Sequence, residues 1–155
     1  MLALVVPDAA QVERWLRQAG IHHYICDQCH GLHLSELQGR DGVLDSRLFV
    51  EEDGLLLTTE MEIRPASLLM MLNEISRLNM SWPTLKIFLD VNDDALPRLV
   101  ACDLLLGRAG VTFDQFMHFV QANVDATSQL LDDCQQLGCL FGPEDEPLPE
   151  RDALH

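Results

Sequence analysis

Residues 43–63 read VLDSRLFVEEDGLLLTTEMEI, two runs of alternating apolar and polar side chains on either side of Asp53-Gly54. An Asp-Gly pair suits a two-residue hairpin turn, because a turn that matches strand twist needs positive φ at both central positions. With the turn there, Glu52 faces Leu55. Val50 with Leu57, Leu48 with Thr59, Ser46 with Met61 and Leu44 with Ile63 then share one face. The other face sets Arg47 against Glu60, a favourable pair, and Asp45 against Glu62, a repulsive one that Arg47 and Arg64 dilute. A one-residue slip would put apolar beside polar throughout, so turn and alternation specify the same faces.

The second strand leads straight into a helix. Pro65 suits a first helical turn, where its missing N–H removes no bond, and the helix is expected from Ala66 to about Asn79. Leu68, Met71, Leu72, Ile75 and Leu78 make its apolar stripe, the mark of a helix laid on a sheet. Leu69 and Met70 fall outside that stripe. They are either incidental surface residues or a contact with a second copy or partner.

Upstream, Asp8 caps a first helix whose Val12, Trp15, Leu16 and Ala19 form one apolar side, and Gly20 ends it. A short strand at 21–26, a turn at 27–31, a second short strand at 32–35 and a polar connection at 36–42 follow. Downstream, Leu85, Ile87, Leu89 and Val91 alternate as a half-buried strand. The next strand is expected to turn Val100, Cys102, Leu104 and Leu106 inward. Thr112 with Gln115 three residues on is a capping-box pattern, opening a last helix that carries Phe113, Phe116, Met117, Val120, Val124, Leu131 and Cys134 and ends near Gly138. The order helix, strands, helix, two strands, helix gives an α+β domain, an antiparallel sheet with helices over its apolar face. Its outer face is expected to carry Phe49, Leu56, Phe88, Leu99 and Leu105, covered by a loop or the tail or serving as a docking surface. The expected domain is 1–142, and the acidic, proline-rich segment 143–155 is expected to be disordered.

A chain of 155 residues suits one domain. A formal charge of −15 repels nucleic acid and anionic bilayers. Neither a signal-peptide pattern nor a membrane-length apolar run is found, and a cytoplasmic location is expected by default. Five cysteines without secretory context are expected as reduced thiols.

Cys26 and Cys29 are the chemically suggestive pair. A redox role lacks the helix N-terminus that usually stabilises such a thiolate. A zinc site would take His30 or His33 as third ligand and lacks a fourth; a structural turn with free thiols outweighs it. His22, His23 and His118 show no acid or nucleophile partner. Asp90, Asp93 and Asp94 fit no EF-hand spacing and are better explained as a solvated turn. No catalytic, cofactor or metal residue is therefore assigned. The expected contact residues are Leu69, Met70, Phe49, Leu56 and Phe88.

Cys26-Asp27-Gln28-Cys29 before Leu32-His33-Leu34, then Arg64-Pro65, Phe88-Leu89-Asp90 with Asp93-Asp94 and Leu96-Pro97, and Gly110-Val111-Thr112-Phe113 with Gln115-Phe116 and Phe119-Val120, stand in one order. From Val5 to about Leu137 the chain closely resembles the bacterial YbjN family. The resemblance implies a fold similar to type III secretion chaperones and a regulatory or adaptor role in sensory transduction, with links to motility, surface polysaccharide and stress responses. It implies no catalytic residue. The expected function is thus non-enzymatic protein binding, with a second copy of the chain as an expected partner. A metal- or thiol-dependent sensor at Cys26 and Cys29 is the alternative, and a secretion-chaperone-like binder a further one.

Overall fold

The computed structural model describes residues 3–146. In chain order it forms α1 (Ala9–Gln18), β1 (His23–Ile25), β2 (Leu32–Leu34), α2 (Ser35–Gln38), β3 (Val43–Val50), β4 (Gly54–Glu62), α3 (Leu68–Ser81), β5 (Lys86–Asp90), β6 (Arg98–Leu106) and α4 (Phe113–Leu137). The strands make one six-stranded sheet in the order β1-β2-β3-β4-β6-β5. Every pairing is antiparallel. The α+β expectation holds, with one addition: the polar connection at 36–42 begins with the single turn of α2.

The hairpin faces are those read from the alternation, but the register differs by two. Glu51 and Gly54 exchange backbone hydrogen bonds of 2.8 and 3.3 Å, so the loop is Glu52-Asp53 and lies one residue earlier than Asp53-Gly54. Leu48 then pairs with Leu57 and Ser46 with Thr59. This register sets apolar on apolar and hydroxyl on hydroxyl, the two hydroxyl oxygens lying 3.0 Å apart. Because side chains alternate with period two, a shift of two changes partners and leaves every face unchanged. Leu57 is fully buried and Val50 packs against the same cluster. Asp45 now sits opposite Glu60, and Arg47 and Arg98, each 3.6 Å from Glu60, relieve the repulsion.

On β6 the expected faces are inverted. Leu99 and Ala101 point inward, paired with the inward Met61 and Thr59, while Val100, Cys102 and Leu104 lie on the outer side. The run from Leu99 to Leu106 is almost all apolar, so alternation could not choose; pairing with β4 chose. Leu105, like Leu99, lies on the inward side.

The core has two parts on one sheet face. Trp15, Leu16, Leu48, Leu57, Phe116 and Val120 belong to one, under α1 and the first half of α4. Met61, Ile63, Met71, Leu78, Leu99 and Leu131 belong to the other, under α3 and the second half of α4. Between them in sequence on the spanning elements come buried polar residues, Ser46 on β3, Thr59 on β4, Asn123 and Thr127 on α4. Thr127 donates to Asn123 Oδ1 at 3.1 Å. On α3, Met71 and Leu78 are buried, but Leu72 is 55% exposed and leaves the expected stripe. The helix turns its inward side through Met71, Ile75 and Leu78, so Leu72 joins Leu69 on the outside.

The helix ends follow the sequence. Asp8 accepts from the Gln11 N–H at 2.8 Å. Thr112 and Gln115 form the reciprocal cap, with bonds of 3.0 and 2.9 Å. Thr112→Ala should cost about 1 kcal/mol, read as a lower urea midpoint at unchanged slope; an unmoved midpoint would show that the cap contributes nothing. Gly138, with φ of 67°, closes α4 in the left-handed region. Beyond it the chain returns along the end of β4, where Arg64 N–H donates to Cys139 O and Phe141 N–H to Glu62 O. The first residues of the acidic tail form a 3-10 turn, Pro143–Asp145. Arg64 binds Asp145 at 2.7 Å and Glu144 at 2.6 Å. The remainder, 147–155, lies outside the described residues.

Candidate functional site

The helices deliver their buried side chains to the inward face of the sheet, so the outer face is built from strand residues alone. One cross-strand row runs over all six strands: Tyr24, His33, Arg47, Thr58, Cys102 and Lys86 are successive partners. Beside it runs the apolar row Phe49, Leu56, Leu104. On the other side Val100 pairs with Phe88. Phe88 is 39% exposed and Leu104 44%. Cations lie over both rings, the Arg47 guanidinium 5.2 Å from the Phe49 centroid and the Lys86 ammonium 5.4 Å from that of Phe88.

Of the expected contact residues, Phe49 and Leu56 are direct partners and Phe88 shares their face. Leu69 and Met70 do not join them. They sit on α3, which packs on the inward side, so the two groups occupy opposite surfaces of the domain. Leu104 extends the Phe49–Leu56 row and the buried Val100 backs Phe88; both escaped notice as outer-face residues because the β6 alternation was ambiguous.

At the β1 end of the long row, the chain turns back between β1 and β2 and gathers three donor groups. Cys26 Sγ and Cys29 Sγ are 3.1 Å apart, and His33 Nε2 is 3.3 Å from each. His30, the other candidate third ligand, is exposed and does not belong to the cluster. His33 is buried and stacks on Tyr24 with ring centroids 4.6 Å apart and planes 4° from parallel.

The protonation of His33 follows from its neighbours. Gln38 Nε2 donates to Leu44 O at 2.8 Å, so its Oε1 is the atom facing β2. That oxygen accepts from the Ser46 N–H at 3.0 Å and stands 2.9 Å from His33 Nδ1. Nδ1 therefore carries the proton, and in the neutral ring the Nε2 lone pair is aimed at the two sulfurs. The hydrogen bond from Cys29 and the N–H of Gln28 draw the Cys26 thiol down to about 6, which favours its thiolate form. A groove of about 610 Å³ opens beside the thiols, lined in part by Glu13, Ile25, Leu32 and Val50. Such a cluster can hold a soft cation or form a disulfide. Sequence spacing showed the cysteines; the choice of His33 over His30 came from the antiparallel turn, which spacing alone does not reveal.

Comparison with known proteins is consistent across sequence and fold. The model of the YbjN family, described as "Putative bacterial sensory transduction regulator", matches residues 8–136. The chain is 35% identical over 146 residues to the uncharacterized protein YbjN of Escherichia coli K12, covering 94% of this chain and 92% of that protein. The same figures hold for the YbjN of Shigella flexneri. The crystal structure of YbjN, "a putative transcription regulator from E. coli", is similar at a TM-score of 0.86 and 34% identity, over 90% of this chain and 99% of that one.

Proposed function

The chain belongs to the YbjN family, and from that premise we propose a non-enzymatic regulator that acts by protein–protein contact through the outer face of its sheet. The observation that carries the reading is the outer face itself, where Phe49, Leu56 and Leu104 on one side of the Arg47, Thr58, Cys102 and Lys86 row, and Phe88 on the other, meet no buried side chain from any helix among the described residues. Charge selects the occupant. The face sets Arg47, Lys86 and Arg98 among Asp45, Glu60, Glu62 and Asp90, close to balance, whereas the whole chain carries −15. A second copy can dock there without adding like charge at the contact, which most other surfaces of so acidic a chain do not permit. The same charge disfavours direct contact with DNA, so an effect on transcription would pass through another protein. Among the described residues no helix is long and apolar enough to cross a membrane, and the proposed setting is the cytoplasm.

Leu56→Glu tests this. Sedimentation equilibrium should give a dimer for the wild-type chain and a monomer for the variant, with unchanged far-ultraviolet circular dichroism. A monomeric wild-type chain at high micromolar concentration would overturn the self-contact. The second reading places the contact on α3, where Leu69, Leu72 and Met80 are 76%, 55% and 80% exposed. Met70→Asp separates the two, since it would break an α3 dimer and leave a sheet-face dimer intact.

A further inference from the structure

We propose that Cys26, Cys29 and His33 form a binding site for one zinc-class divalent cation, held by the two sulfurs and His33 Nε2 with a fourth position left open.

The geometry is close to what such an ion needs. Tetrahedral coordination with ordinary Zn–S and Zn–N lengths separates two sulfurs by about 3.8 Å and a sulfur from a nitrogen by about 3.6 Å. The three separations here are 3.1, 3.3 and 3.3 Å, so the triangle must open by less than about 0.7 Å. The cysteines lie on the half-exposed turn between β1 and β2 and can supply that movement. His33 need not move. Its ring is fixed by Tyr24 on one face, and its Nδ1–H is anchored on Gln38, the outer arrangement that holds a metal-binding imidazole in the right tautomer. Gln38 is itself held by Leu44 O and the Ser46 N–H, which makes the orientation independent of the ion.

The donor set chooses the metal class. Two thiolates and an imidazole favour zinc and similar borderline ions over calcium or magnesium, which take oxygen ligands. Among the described residues no other His, Cys, Asp or Glu joins the three. Three protein ligands with one open position is the pattern of sites that exchange a ligand, as opposed to closed structural sites. The groove beside the thiols gives the ion its path of entry.

The position gives occupancy a consequence for the sheet. Gly31 follows the turn and is packed so closely that an added Cβ would lie 3.0 Å from Phe49 Cε1 and from Arg47 Cβ. Closing the turn around an ion therefore fixes the segment on which Phe49 rests. The assignment of the metal site stands on its own donors and does not depend on what docks at the outer face.

The test uses the full chain without a histidine tag, reduced and freed of metal, titrated with Zn²⁺ against a chromophoric chelator. One equivalent should bind with submicromolar affinity, and Co²⁺ should give the thiolate charge-transfer and tetrahedral ligand-field bands. Cys26→Ser and Cys29→Ser, each changing one half-exposed atom, should weaken Zn²⁺ binding by at least about 100-fold, and Gln38→Ala by about 10-fold or more. His30→Ala should bind as the wild type does. Wild-type affinity no tighter than that of the Cys26→Ser, Cys29→Ser double variant would overturn the site. A loss in His30→Ala equal to that in the cysteine variants would overturn the donor assignment.

Discussion

Replacing Gly54 by alanine should destabilise the domain by about 3 kcal/mol or more. Gly54 opens β4 and pairs with Leu106 at the end of β6. A Cβ there would lie 2.0 Å from the Leu105 carbonyl oxygen and 3.0 Å from the Gly107 backbone nitrogen. Both neighbours are main chain, so no rotamer change can relieve the overlap; the two strands must separate or shift. Chemical denaturation followed by circular dichroism measures the loss. A variant within about 0.5 kcal/mol of the wild type, the range of ordinary surface changes, would show that the β4–β6 contact is looser than described.

Phe116→Ala should cost about 3–5 kcal/mol. The ring is fully buried, lies 5.1 Å from that of Trp15 and joins α1 and α4 to the inward residues of β3 and β4. Its removal leaves a hole that Leu16 and Leu48, both fully buried, cannot fill without leaving their own contacts. Phe88→Ala is the control, since its ring is on the outer face and should cost far less. If the two variants lose equal stability, Phe116 is not the link between helices and sheet.

Sequence made some levels of this structure legible and hid others, and the division has a physical cause. Hairpin faces follow from alternation, so Val50 and Leu57 turned inward as expected although the register differed. The register depends on which residues meet across the strands, and Leu48 with Leu57 and Ser46 with Thr59 form better pairs than the Asp-Gly signal implied. Gly54 was conspicuous in the sequence, but its need arises from the backbone of a strand fifty residues away. On β6 an almost wholly apolar run carried no clear phase, which hid Val100 and Leu104 as outer-face residues. Helix caps depend on residues three apart, and both Asp8 and Thr112 could be read directly. The thiol cluster needed two pieces that lie far enough apart to be hidden: the fold of the turn that brings His33 over the cysteines, and the amide of Gln38 that sets its proton.

The return of the chain along β4 after Gly138 bears on where this protein can be shortened. The family match stops at residue 136, yet Cys139 is completely enclosed and Leu140 forms a bridge with Ile63. Arg64 fastens Asp145 beyond them. Trimming at the limit of family similarity would uncover Ile63 and strip a guanidinium of its carboxylates. A shortened chain that keeps Ile63 covered and Arg64 paired must therefore run to Asp145, nine residues past the border that kinship alone would draw.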